Sequence, residues 1–337
     1  MPTGGFRMFK RRSFDFIFSI SSLSLLGTLA LAVSANAQLM LTSNATTAGF
    51  GLSTFAFNFP TISLPSGSLG PVGITFNNGR VLVAGVPGSV YVFANNTDGK
   101  NAVTDTLFTR NYGSADGLAT SNGHIYLTQQ VNGKLIEINS DGTFNQNILT
   151  ATTAEGLAVN ASNGHLFLST LNSNQILDVD PIAKTSTLFA NTFADGLTTD
   201  GSNLYAAVGN AVLGYRISDK SIIYNSGVIN GGPDGVAVGT GSLAGNLFVN
   251  TNNGNVIEIN IATNVRTLIA QNGSRGDFVT VDPNGTLLLT QSDRILRLTA
   301  PTGGAFGPSV PEPGLIALLS GIGVCGAGFL LRSRKRS

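Results

Sequence analysis

Six segments in the body of this 337-residue chain open on one short pattern, a glycine followed by an apolar-x-apolar strand. They begin at Gly73, Gly117, Gly156, Gly196 and Gly235, with Phe278 in the glycine's place in the sixth, so the starts lie 44, 39, 40, 39 and 43 residues apart. After a turn, each segment enters a second apolar run, such as Arg80-Val81-Leu82-Val83 or His165-Leu166-Phe167-Leu168. Third runs alternate apolar with polar, as in Lys134-Leu135-Ile136-Glu137-Ile138, which is the pattern of a half-buried strand. Fourth runs are short, as in Thr187-Leu188-Phe189 and Thr267-Leu268-Ile269. Four short strands in about 40 residues make one propeller blade, and the period is too long for a β-solenoid. The expectation is an all-β fold, a six-bladed β-propeller over residues 70–308.

The sixth repeat has no fourth strand, because Ile295-Leu296-Arg297-Leu298 runs into Pro301 and a glycine-rich stretch. Ahead of the first repeat, Phe55-Ala56-Phe57-Asn58-Phe59 alternates as a strand with no blade of its own. The segment 38–69 is therefore expected to supply a ring-closing strand that completes blade six and hides its edge.

Aligning the repeats exposes one chemical regularity. The residues before the opening glycines, and before Phe278 in the sixth repeat, are Val72, Asp116, Glu155, Asp195, Asp234 and Asp277. Innermost strands line a propeller's channel, so these acids would form a ring near one mouth. Carboxylates about 7 Å apart repel by roughly 2 kcal/mol at an effective dielectric of 20, which favours protonation or a bound cation. Oxygen ligands without histidine or cysteine suit Ca²⁺ or Mg²⁺ rather than zinc. The competing reading makes each acid an acceptor within its own turn. His124 and His165 share one turn position in neighbouring repeats and read as turn residues. There is no phosphate loop, HExxH or Cys/His zinc spacing.

The openings Asp116-Gly117-Leu118-Ala119 and Asp234-Gly235-Val236-Ala237 resemble those of NHL and SMP-30/gluconolactonase-like propellers. In SMP-30-like lactonases the residue before such a glycine can ligate a metal. The resemblance carries that role to Asp116, Glu155, Asp195, Asp234 and Asp277, but blade one departs from it at Val72.

The ends have their own character. Lys10-Arg11-Arg12 precedes an apolar stretch closed by Ala35-Asn36-Ala37, an A-x-A site predicting a signal helix over 1–37 cleaved before Gln38. Near the other end, Val310-Pro311-Glu312-Pro313 leads into 18 uncharged residues, enough for a transmembrane helix, and then Arg332-Ser333-Arg334-Lys335-Arg336. This three-part tail, 309–337, resembles the PEP-CTERM sorting signal, which implies processing by signal peptidase and an exosortase. The route would pass through the inner membrane to the cell surface or extracellular matrix. The only cysteine, Cys325, lies in that tail, so the exported body has no disulfide. With both ends set aside, 11 Lys and Arg stand against 16 Asp and Glu, an acidic balance unlike a nucleic-acid binder's. The leading expectation is a non-enzymatic binding module for exopolysaccharide or a surface protein. The alternatives are a divalent-metal-dependent hydrolase using the channel acids and a structural matrix component.

Overall fold

An unbroken apolar second strand suits a sheet covered on both faces, and this is its situation here. In the computed structural model, which describes residues 38–64 and 67–307, Leu82 and Ala84 pack toward blade two while Val81 and Val83 pack toward blade six. The other blades repeat this division. The described apolar core is a ring of clusters, one at each junction between neighbouring blades.

The six blades open on inner strands Pro71–Asn77, Ala115–Ser121, Ala154–Val159, Leu197–Thr199, Pro233–Gly241 and Val279–Val281. In blades one to five, the second, third and outer strands follow in antiparallel order. Blade six has only three strands from its own repeat. Its outer strand is Gly51–Phe57, paired antiparallel with Ile295–Thr299. The strand starts earlier than the Phe55–Phe59 alternation suggests and stops at Asn58, whose positive φ of 63° turns the chain.

Four additions were not anticipated. Met40–Leu41 extends blade five beyond its outer strand, and Gly304–Phe306 pairs with the far end of its inner strand. A helix, Ser43–Ala48, capped by the Thr42 side chain, contributes Ala45 to the junction of blades five and six. A hairpin, Ile62–Leu64 with Gly67–Leu69, links the closing strand to blade one. Every strand of the ring thus comes from within residues 40–306.

Among the described residues, no helix is long and apolar enough to cross a membrane. The expected signal and transmembrane helices, Ala35, Ala37 and Val310 to Pro313 lie outside the described residues, and Gln38 is the first residue within them.

Candidate functional site

Three of the acids sit in a break of strand register, while Asp195 and Asp277 lie just ahead of their inner strands. Ala115 pairs with Gln129 and Leu118 with Leu127, so Asp116 and Gly117 together face the single residue Thr128. The same happens to Glu155-Gly156, and in blade five Asp234 is the extra residue. Such bulges re-aim a side chain, here toward the channel axis. Hydroxyls of the second strand hold them: Gly117 N–H donates to Thr128 Oγ1 at 2.7 Å, and Asp277 N–H to Thr290 Oγ1 at 3.0 Å.

The glycines serve packing. A Cβ on Gly73 would collide with the backbone carbonyl of Asp116, one on Gly117 with that of Glu155, and one on Gly156 with that of Asp195. Gly196 and Gly235 meet Asp234 and Asp277 in the same way. Each glycine lets the next blade's acid approach the axis.

The two exceptions to the repeat belong together. Phe278, replacing the glycine in blade six, packs against the cluster that contains Val72, which replaces the acid in blade one. At that junction Thr280 Oγ1 donates to the Ile74 carbonyl at 2.9 Å. Phe278 also lines the channel with Gly73, Gly117, Gly196, Gly235 and Leu118, around a cavity of about 20 Å³. That is room for roughly one water molecule.

The structure brings all five predicted acids into one interacting set. Glu155, Asp234 and Asp277 are buried, while Asp116 and Asp195 keep some surface open although protein surrounds them. A sixth charged group joins them that the repeat pattern did not nominate. Arg275, its side chain 18% exposed, places Nη2 3.9 Å from Asp234 Oδ2 and 4.0 Å from Asp277 Oδ2. Across the repeats, the position two before the acid holds Gly70, Ser114, Thr153, Phe193, Gly232 and Arg275, so a lone base was visible there. At that ion-pair distance the guanidinium offsets part of the repulsion within the ring and favours the charged form of both carboxyls. Asp195 and Asp234 act on each other's titration, as neighbouring buried carboxyls do. Asp234 Oδ2 is buried without a hydrogen-bond partner. Among the described residues, no three His, Cys, Asp or Glu side chains are placed to hold one metal ion.

All five carboxyls are held above the usual carboxylate range, with burial the main cause at each. Glu155 is pushed up to about 7 by burial, against a hydrogen bond from Gln130 and with the help of Asp195. Asp234 is pushed up to about 9 by burial, then by the charges of Asp277 and Asp195. Asp116 and Asp277 lie well above their ordinary value. The folded state therefore binds more protons than the unfolded chain from about pH 4 upward, and its stability falls as pH rises through these values. The thermal midpoint is expected to be lower at about pH 9 than at about pH 5.5. A flat or rising profile across that window in calorimetry would contradict the ring's burial.

The two histidines stand at the other end of the blades. His124 Nδ1 meets Glu137 Oε1 at 2.7 Å and His165 Nδ1 meets Asp178 Oδ1 at 2.8 Å, each linking the second strand to the third. The equivalent position in blade five pairs Asn246 with Glu258, and in blade six Thr286 with Arg297. These are cross-strand pins.

Comparison with known proteins adds the architecture. No family model and no curated protein matches the sequence. Among solved structures, a gluconolactonase from Xanthomonas campestris is 16% identical with a TM-score of 0.59, over 78% of this chain and 95% of its own. A luciferin-regenerating enzyme is 13% identical with a TM-score of 0.57, over 78% and 99% of the two chains. An auxiliary nutrient binding protein from Bacteroides ovatus is 12% identical with a TM-score of 0.56, over 74% and 76%. The shared fold is a six-bladed β-propeller. At these identities the likeness extends to the fold alone.

Proposed function

We propose that this protein is an exported cell-surface or matrix propeller that binds a neutral polysaccharide on the face around its acidic mouth. One observation carries the reading: on that face, the turns between second and third strands of blades two to five each expose an asparagine, Asn132, Asn172, Asn210 and Asn253. Amides both donate and accept, which matches hydroxyl-rich ligands. Charged turn residues such as Asp141, Asp180, Lys184, Asp219 and Lys220 gather in the third-to-outer-strand turns at the opposite end. With room for about one water at the glycine layer, a polymer has to engage the face.

The tail fits this arrangement. Gly304–Phe306 pairs with Gly239–Gly241, at the far end of the blade-five inner strand from the acids. A chain sorted through Val310-Pro311-Glu312-Pro313 would be held from that end, with the asparagine face turned outward. Signal peptidase and an exosortase would do the processing.

Residues 38–309 passed over the producing cell's exopolysaccharide should be retained. Asn132→Arg with Asn172→Arg should weaken retention at least about tenfold. No retention of the unmodified protein sinks the reading and leaves a protein partner or a packing role in the matrix. The raised carboxyls of Glu155 and Asp234 favour one rival, a hydrolase using the ring. Alanine at Asp116, Asp195 and Asp234 would abolish such an enzyme and leave a face binder competent.

A further inference from the structure

Blades two to six each aim one carboxyl at the channel axis, and blade one brings Val72 instead. Blade six adds Phe278 and, among the described residues, the one base seen at ion-pair distance from the ring acids. Asp116 and Glu155 come from the inner strands of blades two and three, Asp195 from the approach to blade four, Asp234 from the inner strand of blade five, and Asp277 from the approach to blade six. The guanidinium of Arg275 lies at ion-pair distance from Asp234 and Asp277, and its charge also acts on Asp116 and Asp195. Its side chain is mostly enclosed, with Gly67 of the linking hairpin against its Cβ. A guanidinium stays charged at every accessible pH and gives up hydration more readily than an ammonium or a small divalent ion.

We propose that Arg275 is the resident cation of the carboxylate ring, standing where a ring of this composition would otherwise recruit Ca²⁺ or Mg²⁺. The side-chain placement supports this, since no three of the acids converge as one ion's ligands while the guanidinium already lies among them. Arg275 is thus a positioning residue. It holds the ring together without a metal and leaves the mouth for uncharged groups.

Thermal midpoints would be compared for the full-length protein in detergent, for residues 38–309 (which contain every strand of the ring), and for Arg275→Met and Arg275→Lys. Each would be measured near neutral pH in millimolar CaCl₂ or MgCl₂ and in NaCl of equal ionic strength. The unmodified protein should give the same midpoint in all three salts, with no heat of Ca²⁺ binding in calorimetry. Arg275→Met should melt at least about 5 °C lower in NaCl and recover at least half of that in CaCl₂. Arg275→Lys should keep most of the midpoint. Saturable Ca²⁺ or Mg²⁺ stabilisation of the unmodified protein overturns the proposal, because the ring then takes a metal beside Arg275. An unchanged midpoint for Arg275→Met overturns it, as does a drop shared by Arg275→Lys that no divalent ion relieves, since Arg275 then acts through packing. Should Arg275→Met fail to fold, the lysine variant and the Ca²⁺ titration of the unmodified protein still decide.

Discussion

Gly156→Ala is expected to cost about 3 kcal/mol or more of unfolding free energy, a large loss for one methyl group. The added Cβ would point at the backbone carbonyl of Asp195 in the next blade, and backbone cannot turn aside as a side chain can. Relief requires blades three and four to separate, which loosens the cluster of Phe167, Ile176, Leu197, Leu204 and Ala206 between them. Gly117→Ala and Gly196→Ala should behave alike, because each meets the same carbonyl one blade further on. Gly51→Ala is the control: it lies in the closing strand with ordinary φ, and its Cβ would sit 3.5 Å from Thr299 Cβ in normal contact. That change should stay within about 0.5 kcal/mol. Urea unfolding followed by circular dichroism measures all four. A loss below about 1 kcal/mol for Gly156→Ala would mean that the blades can slide, and that the glycine ring does not set their spacing.

The same glycines show how much of the fold could be read before the structure. Their spacing gave the blade count, and the orphan alternation at Phe55 to Phe59 pointed to ring closure on blade six. Both signals are periodic, so a single sequence suffices to reveal them. The acids were also legible as a set, because a repeat places equivalent residues on one circle. Their chemistry was harder to read. Whether five carboxyls converge on an ion depends on side-chain direction at a bulge, and a two-for-one register break does not announce itself in a run such as Ala115-Asp116-Gly117-Leu118. Arg275 escaped because it lies two residues outside the aligned column, although it alone among the six equivalents carries charge. The pairing of Val72 with Phe278 escaped for another reason. Two departures more than 200 residues apart become one apolar plug only when the ring brings blade six against blade one.

That seam is also where the second large effect is expected, at Arg297. Its guanidinium joins three segments far apart in sequence. Nε meets Asp98 Oδ1 at 2.7 Å, and Nη2 donates to the Asn96 side-chain oxygen at 2.8 Å, both in the loop that follows the third strand of blade one. Nη1 pairs with Asp282 of blade six and donates to Thr286 Oγ1 at 2.8 Å. The group also lies 5.7 Å from the ring centroid of Phe55 in the closing strand, while Ser53 of that strand donates to Asp98 at 2.6 Å. Asp282 is fully buried, so removing Arg297 leaves a carboxylate inside protein without its counter-charge. Breaking such a pair from one side costs about 3–5 kcal/mol, far more than an exposed ion pair contributes. Arg297→Met should therefore lose about that much in urea unfolding, even though the methionine fills most of the space. Adding Asp282→Asn removes the stranded charge and should return at least about 1 kcal/mol, so the double variant is more stable than the sum of the singles. Strict additivity would mean that packing against Phe55, rather than the buried charge, accounts for the loss. Hydrogen exchange locates the weakness: in Arg297→Met the amides of Gly51–Phe57 should lose protection first, because the ring opens where its two ends were joined.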